Sequence, residues 1–149
     1  LATVLGLADM VIMAESARLK APFAALATVP EACSPHTFPR IMGHAGALWF
    51  LLSGEWMTAE QCREAGLAMA VVPDDELMSE VMRRAQTLAA YPTVSLVQTK
   101  GLMTAPHRDE MKRVNRAELA QFTELMDHPA AKEGISAIRE KRQPDFSQF

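Results

Sequence analysis

A chain of 149 residues with 49% hydrophobic residues is long enough for one domain with a real core. Its 15 Lys and Arg against 18 Asp and Glu give a net charge of −3, which excludes a basic nucleic-acid footprint. The uncharged run IMGHAGALWFLLSG, residues 41 to 54, is too short and too polar at its ends to span a bilayer.

In chain order, LATVLGLA (1–8) is apolar throughout and predicts a short core helix buried on all sides. An opening of this kind predicts further chain before Leu1. Asp9 introduces MVIMAE, a β-type run, and AESAR reads as a turn. RLKAP (18–22) alternates and predicts a second strand. Residues 23–36 hold two prolines, directly after Pro22, and few charges, which predicts a long loop of the kind that often carries function. HTFPRIMG predicts a short helix broken near Pro39, and AGALWFLLSG a second helix capped by Gly54. Trp49 and Phe50 are both expected in the core.

Thr58 and Gln61 form a capping box for a short helix that stops at Gly66. LAMAVVP reads as a buried strand. Asp74, Asp75 and Glu76 favour a helix start through the dipole, with no other role, and that helix runs to about Tyr91 before Pro92. Thr93 to Thr104 predicts another helix, with Lys100 on its solvated face. Met111, Val114, Leu119, Phe122 and Leu125 recur at near-helical spacing from Arg108 to about Asp127, and Ala130 to Arg142 forms the last helix. This tail carries dense charges of both signs and suits packing on a neighbour. Helices outnumber strands, so the predicted α/β sheet is incomplete by itself.

Cys33 and Cys62 have neither C-x-x-C spacing nor a His cluster beside them and read as reduced thiols. Cys33 is expected to be a small buried residue, and His36 a loop histidine. In VPEACSPHTFPRIMG (29–43), Glu31 follows a proline in a run uncharged until Arg40. A lone carboxylate there is either solvated at the surface or held in an apolar pocket, where it can act as a base.

Three stretches together carry a family resemblance: LGLADMVIMAESARLKAPFAALATVPEACSPHTFPRIMG, SGEWMTAEQCREAGLAMAVVPDDEL and EGISAIREKRQPDF. In this order they resemble the C-terminal half of the crotonase superfamily, the enoyl-CoA hydratases and isomerases. The resemblance implies a spiral of ββα turns. Residues 1–91 would be the later part of that core, its earlier part absent, and 92–149 a helical region that forms trimers or hexamers. It also implies an acyl-CoA substrate, with no separate cofactor, no metal, no nucleic acid and no membrane. A thioester enolate would be held by two backbone N–H donors, one at a glycine just before Leu1 and one further upstream.

The glutamates of the family's hydratases correspond here to Thr3 and Phe23, neither of which can take a proton from water. VPEACSPHTFPR instead resembles the Δ3,Δ2-enoyl-CoA isomerases of the peroxisomal type and their bacterial relatives, in which that glutamate is the single base. The resemblance therefore makes Glu31 catalytic. It would take a proton from C2 of a 3-enoyl-CoA and return it at C4. It also implies substrate contacts at Phe23, Leu26 and Pro30, and at Lys141 toward the CoA nucleotide. Hydration, another crotonase activity, or a non-catalytic piece remain as alternatives. The ending FSQF lacks a peroxisomal Ser-Lys-Leu signal, which points to a cytoplasm.

Overall fold

The computed structural model describes residues 2–149. Among the described residues, four short strands and seven helices follow one another: β1 (Ile12–Ala14), β2 (Arg18–Lys20), α1 (Ser34–Met42), α2 (His44–Ser53), β3 (Trp56–Thr58), α3 (Ala59–Glu64), β4 (Ala70–Val72), α4 (Leu77–Ala89), α5 (Thr93–Thr104), α6 (Arg108–Met126) and α7 (Pro129–Glu140). Short 3-10 segments cover Ala2–Leu7, Ala24–Leu26, Asp74–Glu76 and Ala105–His107.

The strands form two separate pairs. β1 and β4 lie parallel, with Ile12 opposite Ala70 and Ala14 opposite Val72. β2 and β3 lie antiparallel, with Arg18 opposite Thr58 and Lys20 opposite Trp56. Between β1 and β4 the chain makes the long helical crossover that parallel pairing demands. β3 is not legible as a strand in the sequence, because three residues wedged between Gly54 and the Thr58 cap show no alternation. Pairing with β2 makes it one. The Arg18 guanidinium also sits 4.4 Å from the Trp56 ring centroid, a cation–π contact across the pair.

The core lies under the crossover. Phe38 of α1 and Phe50 of α2 are fully buried, with ring centroids 5.8 Å apart. Met13, Ala47, Leu51, Ala59, Cys62 and Leu67 close around them. α1 is not broken at Pro39, as the sequence suggests, but continues through it to Met42. The proline removes one backbone donor, and burial of Ser34, His36, Thr37 and Phe38 holds the helix together around it. His36 therefore belongs to a helix, not a loop.

Other expectations need correction. The first turn is a 3-10 segment with one buried residue, Thr3, while Val4 and Leu7 are exposed. Only the face toward α1 is covered. β4 is half-buried rather than buried. Trp49 is 63% exposed, because α2 buries Ala47, Phe50 and Leu51 and turns its neighbouring face outward. Asp74 does more than start a helix: its carboxylate accepts hydrogen bonds from the Ser16 backbone N–H at 3.1 Å and the Ser16 hydroxyl at 2.5 Å, tying the β1–β2 turn down. The Thr58–Gln61 capping box and the left-handed Gly54 cap (φ 64°) form as the sequence predicts. Lys100 is on an exposed face and pairs with Asp9.

Candidate active site

The loop leading into α1 has an unusual backbone. Ala32 (φ 56°) and Cys33 (φ 57°) are successive non-glycine residues in the left-handed region. Each costs roughly 1–2 kcal/mol in that conformation. The turn is held by a cluster of hydrogen bonds. The Ser34 N–H and hydroxyl both donate to the Glu31 carbonyl, at 3.1 and 2.7 Å. The Cys33 N–H donates 3.1 Å to Oε2 of Glu118, which arrives from α6. The Cys33 thiol donates to the Met111 carbonyl at 3.4 Å. Cys33 opens α1 without a side-chain cap of its own, so the Glu118 carboxyl occupies the place of a cap.

This turn projects Glu31 onto a cleft of about 410 Å³ between the loop and α6. Val4 lies at one side, Pro30 to Ala32 at the second, and Asn115, Glu118, Leu119 and Phe122 of α6 at the third. Glu31 itself is exposed, and so are Val4, Leu119 and Phe122. The cleft is an open groove with apolar sides, not an enclosed pocket. No Lys or Arg lines it. Among the described residues, no cluster of three or more His, Cys, Asp or Glu side chains could hold a metal ion.

The candidate substrate residues separate. Pro30 lies in the cleft beside Glu31. Phe23 is half-buried and packs against the core. Leu26 sits in the 3-10 turn pressed against Gly134 of α7. Lys141 is the exposed, left-handed C-cap of α7 (φ 56°). None of these last three lines the Glu31 cleft. Thr3 is 2% exposed, too enclosed to present an acid or base group to a ligand.

Glu118 is the residue that sequence reasoning passed over. It is 8% exposed, and its second oxygen, Oε1, is buried without a hydrogen-bond partner among the described residues. Burial pushes its carboxyl above the usual carboxylate range. The Cys33 N–H and the Asn115 amide oppose that shift, and the Glu31 charge adds to it. Burial, and after it the Glu118 charge, push the Cys33 thiol up, so Cys33 is no nucleophile. A signal for Glu118 was present. It falls seven residues after Met111 and four after Val114, on the inward stripe of α6, where a carboxylate should not be.

A solvent-accessible carboxyl on an apolar groove, with a second carboxyl buried beside it, can serve as a general base toward a carbon acid laid along the groove. The family model "Enoyl-CoA hydratase/isomerase" matches residues 3–149. The chain is 36% identical over 136 residues to the enoyl-CoA delta isomerase 2 of Rattus norvegicus, covering 91% of this chain and 34% of that protein. It is 31% identical over 140 residues to the 2,3-dehydroadipyl-CoA hydratase of Escherichia coli K12, covering 94% of this chain and 55% of that protein. The crystal structure of an enoyl-CoA hydratase/isomerase from Pseudoalteromonas atlantica T6c superposes with a TM-score of 0.93 at 34% identity, covering 98% of this chain and 59% of that one. The fold is a crotonase fold, and the chain belongs to the enoyl-CoA hydratase/isomerase family. It spans about a third to somewhat over half the length of these relatives.

Proposed function

We propose that the protein is a Δ3,Δ2-enoyl-CoA isomerase in which Glu31 is the single base. The observation that supports this reading is the placing of Glu31. It is an accessible carboxyl on the groove, while Thr3 is buried and Phe23 packs into the core. A hydratase needs two groups to position and split water. A 1,3-proton shift needs one, because C2 and C4 of a planar dienolate lie close on one face. Glu31 takes the C2 proton, the thioester oxygen carries the charge, and the same carboxyl returns the proton at C4. The apolar flanks, Val4, Leu119 and Phe122, suit an acyl chain. Lys141 would contact the CoA nucleotide across a subunit boundary, and the helices from α5 onward would assemble copies into trimers or pairs of trimers. A cytoplasm suits the two free, buried thiols of Cys33 and Cys62.

Glu31→Gln in the full-length protein tests the reading. With a 3-enoyl-CoA substrate the isomerisation rate falls about 100-fold or more, since the amide cannot accept the proton. A rate that survives the change overturns the assignment. Hydration is the second reading, favoured by one observation: a second carboxyl, Glu118, lies in the same cleft. Addition of water to a 2-enoyl-CoA faster than isomerisation of the 3-enoyl-CoA would put hydration first.

A further inference from the structure

We infer that Glu118 is the positioning residue of the Glu31 base: it pins the left-handed turn behind Glu31 from α6 and sets a second carboxyl against the same cleft. The inference rests on Glu31 being the base of the reaction.

The geometry has two parts. The first is the anchor. Ala32 and Cys33 both sit at positive φ, immediately after Glu31, and an unsupported pair of that kind would relax. Glu118 Oε2 takes the Cys33 N–H at 3.1 Å across 85 residues of sequence, so α6 dictates where the turn stands and where residue 31 points. The second is the unused oxygen. Oε1 is buried with no hydrogen-bond partner among the described residues. Leaving such a group unpaired is unfavourable. An anchor alone does not demand that cost, because many neutral acceptors would serve the Cys33 N–H equally well. What a carboxyl adds is a titratable proton beside Glu31.

The groups around Glu118 fix the sign of that effect. From the loop it faces the Glu31 carboxyl and the Cys33 thiol, and on its own helix Asn115. Val4 of the first turn, in the same cleft, is uncharged. Arg113, further back on α6, is committed to Glu110 at 3.0 Å. Ionisation of Glu118, which its burial defers, places another negative charge against the cleft in which the dienolate gains its own, and opposes it. The rate of the wild-type enzyme therefore falls as Glu118 ionises.

The experiment compares wild type, Glu31→Gln, Glu118→Ala and Glu118→Gln in the full-length protein, measuring kcat, KM and the pH profile on a 3-enoyl-CoA. Glu118→Ala loses the anchor: kcat falls about 10-fold or more through misplacement of the base, while KM stays within about two-fold. Glu118→Gln keeps an acceptor for the Cys33 N–H and recovers most of the lost rate. It loses the fall with pH, a change that a purely structural role would not cause. The inference is overturned by Glu118→Ala with wild-type kcat, or by Glu118→Gln with an unaltered pH profile. If Glu118→Ala does not fold, the profile of Glu118→Gln decides. Glu31→Gln separates the two claims: activity surviving in it removes Glu31 as the base, whatever the Glu118 variants do.

Discussion

At the scale of single residues, two buried titratable groups stand out, and both sit where backbone turns into α1. Glu118 supplies the acceptor that the start of α1 lacks. His36, two residues into that helix, is 5% exposed, lies 5.7 Å from the His107 ring and has no partner at Nε2 among the described residues. Burial, then the Arg40 charge, hold its imidazole below the ordinary histidine value; Glu110 opposes them, and His107 and Arg113 add to the lowering. The fold thus favours neutral His36, while the unfolded chain takes up a proton first as pH drops. Stability tied to this group is complete above about pH 6.5, the unperturbed value, and is lost as pH falls from there toward the lowered folded value. In urea unfolding followed across this range, His36→Asn is expected to flatten that part of the slope. A slope unchanged by the substitution would assign it to other groups.

At the scale of elements, α7 approaches the Ala24–Leu26 turn backbone to backbone. A Cβ placed on Gly134 would meet the Ala25 carbonyl oxygen and the Leu26 backbone at 3.0 Å. Both are main chain and cannot swing aside. Gly134→Ala is expected to cost about 1–3 kcal/mol through overpacking, seen as a lower thermal midpoint, although alanine is the better helix former. A midpoint equal to or above wild type would mean that the turn yields. The same contact fixes the position of Leu26 and, through the turn, of Phe23. Beyond α7 the chain folds back on it: Glu133 accepts from Arg142 at 2.8 Å and from the Asp145 N–H at 2.8 Å. The Arg142 guanidinium and the Asp145 N–H hold the Glu133 carboxyl at about 2, well below the ordinary range.

At the scale of the whole molecule, the surface is more apolar than a solitary globule needs. Met78 and Met82 of α4, and Val94, Val97, Leu102 and Met103 of α5, are all at least half exposed. Exposed apolar side chains on these two helices are what the proposed assembly would cover. The proposed trimer predicts that the full-length protein sediments as a multiple of three chains. It also predicts that a charge placed on this face, Leu102→Glu, lowers the assembly state without unfolding the protein. A monomer in the wild type would remove the proposal.

Local features are legible in the order of residues alone. Gly54 caps α2, Thr58 and Gln61 box α3, Pro92 ends α4, and VPEACS with its flanking motifs carries the family. These depend on neighbours within a few residues, so spacing and residue type suffice. Features that depend on distant chain appear only once the protein is packed. Residues 56–58 become a strand because β2 is there to pair with them, and Trp49 turns outward because α2 buries one face. Glu118 belongs to the site because α6 crosses the Cys33 turn 85 residues away in sequence. Helical spacing puts Glu118 on the stripe of Met111 and Val114, but only the fold shows that this face is covered. Burial is a property of the packed chain, and no local pattern fixes it alone.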